Sequence, residues 1–329
     1  MIKVKKMLSS ISMGLSAVAL VVGCQSFSQD PIDGGDKIVK GPIAGAMCGV
    51  FGGDITTKAN AVEPNSGREF YLEYPCDLKA DEKVTLVLNL HGGGSAGAWQ
   101  RLYFPITDYA TKYRLVVATP TAVIIKPFRL WTAEADDQYL QDLTELLISA
   151  LGKNNIQSFW FAGHSQGGLT TTRIICSDYF APRADGFLSL AGGRVGMRLG
   201  GNPSCSYSHI AETGSLDSMG TAGIPETSPL ADRFNCDPKK RQSDIIDTVA
   251  GKVYDTRSEA TGRPPREGWG GKPGPGAAQV YTFPNCANGE MVADVIRLEK
   301  GHTEGLEPRI TEKLVEMMVS IPGGKIRNM

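Results

Sequence analysis

The sequence predicts an α/β protein, a mainly parallel central sheet with helices on both faces. Three observations predict it. Short, almost wholly apolar runs recur along the chain, as in strands buried inside a sheet. Segments with helical spacing separate them, which implies crossover connections and parallel neighbours. A glycine-flanked serine, in Gly163-His164-Ser165-Gln166-Gly167, stands where a strand gives way to a helix.

The elements follow in order. Arg68 to Tyr74 (REFYLEY) alternates polar and apolar residues, as a half-buried strand does, and Lys83 to Leu90 (KVTLVLNL) reads as an interior strand. Trp99 to Tyr113 has helical spacing, and Leu115 to Ala118 is a short buried strand stopped by Pro120. Asp136 to Leu151 is the clearest amphipathic helix, with acids at its start that suit the helix dipole. Ser158 to Ala162 is a strand and Gly168 to Ser177 a helix. Strands at Gly186 to Leu190, Ser206 to Ala211 and Val292 to Leu298 follow, and Glu307 to Val319 is the closing helix. Thr256 to Ala278, rich in glycine and proline and carrying Trp269, breaks the rhythm as a long insertion, either a solvated loop or a flap over the site.

The N-terminus reads as a targeting segment. Lys3, Lys5 and Lys6 precede a mostly apolar stretch from Met7 to Val22, which is shorter than the roughly 20 apolar residues of a membrane span. It ends in Val21-Val22-Gly23-Cys24, which resembles a bacterial lipobox. The domain plan is therefore a lipoprotein signal peptide at 1–23, a lipidated tether at 24–46 and a catalytic domain at 47–329 with its insertion at about 256–278. Acyl chains such as palmitate on Cys24 would tie the protein to a lipid bilayer without spanning it. Gln25 after that cysteine suits an outer-membrane address in a Gram-negative cell, so the expected location is the cell envelope.

Composition excludes some classes. With 41% hydrophobic and 21% charged residues the chain can bury a sizeable core. The net charge is −1, and removal of the three signal lysines makes it −4, so nucleic acid is not an expected partner. Six cysteines remain after Cys24, namely Cys48, Cys76, Cys176, Cys205, Cys236 and Cys286. An even number in an exported chain suggests up to three disulfides, whose fifteen possible pairings the sequence leaves open. None stands in a C-x-x-C pair, so no metal site is expected.

The chemistry centres on Ser165. The G-x-S-x-G pattern between a strand and a helix is the setting of a nucleophile elbow, whose flanking glycines let strand and helix approach. A serine hydroxyl needs a base. Of the four histidines, His91 and His164 belong to glycine-rich turns, where His91 braces its loop, and His209 lies within a strand. His302, in Lys300-Gly301-His302-Thr303-Glu304 between the last strand and the last helix, is the candidate base. The acid that orients it is expected between serine and histidine in the chain. Asp217, in Thr213-Gly214-Ser215-Leu216-Asp217 after a strand, fits best, with Asp232, Asp237 and Asp244 as rivals. Leu90-His91-Gly92-Gly93-Gly94 follows a buried strand, so the Gly93 N–H and the Gln166 N–H are the candidate oxyanion donors. Trp99, Tyr103, Trp131 and Trp269 are candidates to line a substrate pocket, although residues such as the first three are more often core than pocket.

From Arg68 to the last helix the chain resembles the α/β-hydrolase superfamily. It is most similar to secreted serine esterases of the polyhydroxybutyrate depolymerase and feruloyl or acetylxylan esterase type. The matching stretches are GREFYLEYP, LNLHGGG, DDQYLQDLTELL, GHSQGG, SLAGG, TGSLD, and FPNC ahead of EKGHTEG. One departure is Glu212, where relatives often place a histidine before the acid turn. The resemblance implies hydrolysis of carboxylic esters through an acyl-enzyme, without metal or organic cofactor, on small-molecule or polysaccharide-linked esters, by a monomer. Acyl transfer or peptidase activity with the same triad is the enzymatic alternative. A surface-binding lipoprotein that has lost catalysis is the other, and an intact set of Ser165, His302, Asp217 and HGGG weighs against it.

Overall fold

The computed structural model describes residues 46–192, 205–217, 228–256 and 269–329. Every described residue lies in the unit Asp33–Met329. Cys24, the signal and nearly all of the tether lie outside the described residues, as do 257–268 of the insertion.

The chain opens with β1 (Met47–Cys48), β2 (Ile55–Glu63), β3 (Arg68–Pro75), β4 (Val84–Leu90) and helix α1 (Gly97–Tyr103). Helix α2 (Ala110–Tyr113), β5 (Leu115–Pro120), the hairpin strands β6 (Ile124–Ile125) and β7 (Phe128–Arg129), and helix α3 (Ala133–Leu151) follow. Then come β8 (Ile156–His164), α4 (Gln166–Ile174), β9 (Gly186–Leu190), β10 (Ser208–Gly214) and α5 (Pro229–Arg233). The chain closes with β11 (Lys240–Arg241), β12 (Ile245–Ile246), β13 (Ala277–Phe283), β14 (Val292–Arg297) and α6 (Pro308–Val319).

In space the strands of the main sheet run β1-β2-β3-β5-β4-β8-β9-β10-β14-β13-β11, with β12 also on β13. From β5 to β14 all neighbours are parallel. The antiparallel pairs lie outside this run. Parallel strands are covered on both faces, and here alternate residues feed two separate cores. Leu86, Leu88, Phe159 and Phe161 pack with Tyr139, Leu140, Leu143 and Leu147 of α3. Val87, Trp160 and Ala162 pack on the other side with Tyr103, Ile310, Leu314 and Met318. All seven residues of β4 are buried, which is why it reads as a mostly apolar run, with only Thr85 and Asn89 polar.

Local chemistry sets the element ends. The helix expected over Trp99 to Tyr113 breaks after Tyr103, because Pro105 lacks an N–H and pushes Phe104 toward extended backbone (ψ 87°). Helix α3 starts three residues before the expected Asp136. Thr132 Oγ1 accepts from the Ala135 N–H and Asp136 reaches back to the Thr132 N–H at 2.6 Å, a reciprocal cap. Two long strands exceed the expectation. In β2 the alternation is interrupted by an irregularity between Lys58 and Ala61. In β13, Ala277 and Ala278 belong to the sheet rather than to the glycine- and proline-rich insertion.

Three disulfides close: Cys48–Cys76, Cys176–Cys205 and Cys236–Cys286. They fit an oxidising compartment outside the cytoplasm. No helix among the described residues is long and apolar enough to cross a membrane.

Candidate active site

Four of the parallel strands end at the same edge of the sheet, and the loops leaving those ends carry the chemistry-bearing residues. Leu90 of β4 lies opposite Gly163 of β8, which sets the HGGG loop beside Ser165. Strand β10 leads to Asp217, and β14, its parallel neighbour, leads to His302.

Ser165 sits at φ 50°, ψ −115°, a left-handed conformation that a side-chain-bearing residue adopts only when its surroundings force it. The forcing comes from close packing. A Cβ on Gly163 would lie 2.6 Å from the Gly167 carbonyl carbon, and one on Gly167 would lie 2.5 Å from the Leu90 carbonyl oxygen. Only hydrogen fits at either position, and the turn between β8 and α4 is correspondingly tight. The Ser165 N–H donates to the Leu190 carbonyl at 2.9 Å, fastening the turn to β9.

The half-buried Ser165 hydroxyl lies 2.8 Å from His302 Nε2. His302 Nδ1 faces both carboxylate oxygens of Asp217 at 3.0 and 2.9 Å. A carboxylate accepts, so Nδ1 carries the proton and Nε2 turns its lone pair to the serine. His302 and Asp217 are both buried, as an imidazole oriented by a carboxylate requires.

The HGGG loop is held from below. His91 donates from Nδ1 to the Gly92 carbonyl at 2.7 Å and accepts at Nε2 from the Ala122 N–H at 3.0 Å. Trp131 Nε1 donates to the His91 carbonyl at 2.8 Å. Burial lowers the His91 pKa to about 4, so the ring is neutral at neutral pH. Above this brace Gly93 is exposed, and its N–H, like that of Gln166 at the first turn of α4, donates to no other group among the described residues. The Gln166 side chain is itself pinned, accepting from the Trp131 N–H at 3.2 Å and donating to the Trp131 carbonyl at 3.3 Å.

The loop that carries His302 is tied down by Arg297 at the end of β14. Its guanidinium is fully buried and donates to Glu212 Oε1 (2.7 Å), Glu307 Oε2 (3.1 Å), the Gly305 carbonyl (3.1 Å) and the Glu304 carbonyl (2.6 Å). Glu304 Oε2 accepts from the Gly301 N–H at 2.7 Å, and Lys300 pairs with Glu307 at 3.1 Å. Glu212, just before the turn that carries Asp217, is thus a partner of Arg297. Its pKa is raised by burial and partly restored by the guanidinium.

The four candidate aromatics divide. Trp99 and Trp269 are half-buried, Trp99 stacked on Tyr103 (centroids 4.8 Å apart) and Trp269 edge-on to His302 (5.1 Å). Tyr103 (0% exposed) and Trp131 (3%) lie in the core, the commoner of the two places expected for them, and not on a pocket wall. They act as supports instead, since an aromatic ring with a polar tip can fill the core and still hold a backbone group. His209 is a buried core residue between Phe187 and Tyr207.

No family model matches the chain, and no curated protein matches it. Among solved structures it is similar to the acetyl xylan esterase from Aspergillus awamori, at 11% identity and a TM-score of 0.46 over 80% of this chain and 100% of that one. It is similar to a CIB-like hydrolase from Thermoplasma acidophilum at 14% identity and a TM-score of 0.38, over 84% and 99% of the two chains. A third likeness is to the S-formylglutathione hydrolase from Staphylococcus aureus, at 14% and 0.37, over 50% and 79%. On its own strand order, its parallel run between two helix-covered faces and its strand–turn–helix elbow, this chain has an α/β-hydrolase fold.

Proposed function

We propose that the protein is a serine hydrolase of carboxylic esters. The observation that carries the reading is the unbroken hydrogen-bond chain from Ser165 Oγ through His302 to Asp217, set on a left-handed elbow. As substrate nears, His302 Nε2 takes the Ser165 proton while Oγ forms a bond to the ester carbonyl carbon. The carbonyl oxygen becomes an oxyanion, and the N–H groups of Gly93 and Gln166 bind it. Each donor of this kind stabilises the transition state by about 3–4 kcal/mol. Collapse breaks the bond to the alcohol oxygen, which leaves with the proton from His302. Water then gives its proton to His302 and attacks the acyl carbon. The acid departs and Ser165 regains its proton. Asp217 keeps the Nδ1–H tautomer and balances the imidazolium in both halves.

In finer detail, the reading is a secreted esterase of the polyhydroxybutyrate depolymerase and feruloyl esterase kind, acting on small-molecule or polysaccharide-linked esters. Trp99 and Trp269 flank the ester, the catalytic domain spans 47–329, and lipidated Cys24 anchors it to the envelope. Replacing Cys24 by serine and following incorporation of labelled palmitate tests the anchor.

The catalytic reading is tested with the native chain and Ser165→Ala. Native protein should label with a fluorophosphonate and hydrolyse p-nitrophenyl esters, and the variant should lose labelling and about a millionfold in kcat. A variant that hydrolyses as fast as the native chain would sink the reading.

A further inference from the structure

His164, the residue before the nucleophile, is 3% exposed and has no part in the reaction above. Its Nε2 lies 2.9 Å from the backbone carbonyl of His302, across 138 residues of chain. A carbonyl only accepts, so Nε2 carries the proton. The ring is gripped between Tyr103 (centroids 4.1 Å apart), Trp99 (5.4 Å) and the His302 ring (5.0 Å). A Cβ on Gly92 would lie 2.6 Å from its Nδ1, so glycine there makes room for the imidazole. Nδ1 is buried and has no hydrogen-bond partner among the described residues. That atom can stay so only as a bare lone pair, because a proton on it would be stranded.

We propose that His164 is a positioning residue, whose Nε2–H fixes the main chain of His302 so that the imidazole keeps its line between Ser165 and Asp217. The proposal rests on the ester-hydrolase reading. The Tyr103 hydroxyl points at the same carbonyl from 3.5 Å, at the limit of a hydrogen bond, so His164 is the effective donor. The elbow thereby carries both the nucleophile and the group that aligns its base. A neutral donor is required, because a cation beside His302 would oppose the imidazolium formed in each step. Burial holds the His164 pKa well below the ordinary histidine value, and the charge of the His302 ring pushes the same way, outweighing the bond to the His302 carbonyl, which raises it.

Two variants separate alignment from packing. His164→Phe keeps an aromatic ring in the pocket and removes the donor. His164→Gln keeps an amide donor near the Nε2 position and loses the ring. With p-nitrophenyl acetate, His164→Phe should lose roughly 100-fold in kcat with KM nearly unchanged, as expected for an ångström-scale misalignment. His164→Gln should recover most of that loss. A space-filling role predicts the reverse order. In the native chain, histidine-labelled NMR should show His164 as the neutral Nε2–H tautomer throughout the range in which an ordinary histidine titrates, around pH 6.5. Titration within that range, the Nδ1–H tautomer, or His164→Phe at least as active as His164→Gln would each overturn the proposal while the hydrolase reading stands. A native chain that neither labels nor hydrolyses any ester overturns that reading and the proposal with it, whatever the tautomer.

Discussion

Around Ser165 the backbone comes close because side chains are missing, whereas around His302 the loop is held by side chains that carry full charge. Gly163 and Gly167 let β8, α4 and the end of β4 touch main chain to main chain. Arg297, Glu212, Glu307 and Lys300 form a buried cluster that grips 304 and 305 through their carbonyls. Backbone packing fixes Ser165 in place. Charged side chains suit a loop that has no strand or helix of its own to hold it. The lesson is that one hydrogen-bonded triad can be supported by steric exclusion on one side and by electrostatics on the other.

Substitutions should break the two sides differently. The largest effect is expected from Arg297→Met, which leaves Glu212 and Glu307 buried and without their shared cation. Losing one partner of a buried ion pair typically costs about 3–5 kcal/mol. Denaturant unfolding checks this, and a loss under about 1 kcal/mol would mean that the cluster is not what holds the loop.

Acid should act next, and mainly on the side of Ser165. The His91 pKa falls from the ordinary histidine value of 6.5 to about 4 in the fold. Its contribution to stability is therefore complete above pH 6.5 and is lost as pH falls toward about 4, a change of about 3 kcal/mol. Glu212, with its pKa raised, works in the other direction, since acid relieves its burial. Unfolding free energies of the native chain and His91→Gln across this range should differ in slope, the variant being flatter. Parallel curves would remove His91 as the cause.

The smallest effect is expected from Gly167→Ala. Its Cβ would meet the Leu90 carbonyl oxygen at 2.5 Å, and overpacking of this kind costs about 1–3 kcal/mol. Because the strain falls at the elbow, kcat should drop while the Arg297 cluster is untouched. An unchanged kcat would show that the elbow has slack.

Much of this arrangement could be read from the sequence because it is local. The buried strands announce themselves by apolar runs, and the elbow by five consecutive residues. Asp217 and His302 could be placed because each follows a strand directly. What stayed hidden depends on contacts between distant residues. Strand β2 escaped because Thr56, Thr57, Lys58, Asn60 and Glu63 leave it without an apolar run and its register slips between Lys58 and Ala61. The disulfide pairing, the Glu212–Arg297 pair across 85 residues and the His164–His302 bond leave no local trace. Tyr103 and Trp131 could not be assigned to core or pocket for a related reason, since an aromatic under the site and one in it look alike until burial is known.

The strand order also bears on when the site comes into being. Strand β14 occupies the place between β10 and β13, yet it is the last strand in the chain. The bond from Tyr103 to the His302 carbonyl spans 199 residues. Contacts so distant in sequence form late and slowly in folding. A chain threaded through a membrane from its N-terminus would present Ser165 long before its base arrives. On the proposed reading it would travel as a chemically idle precursor, its hydroxyl activated only once the closing strand had docked on the far side.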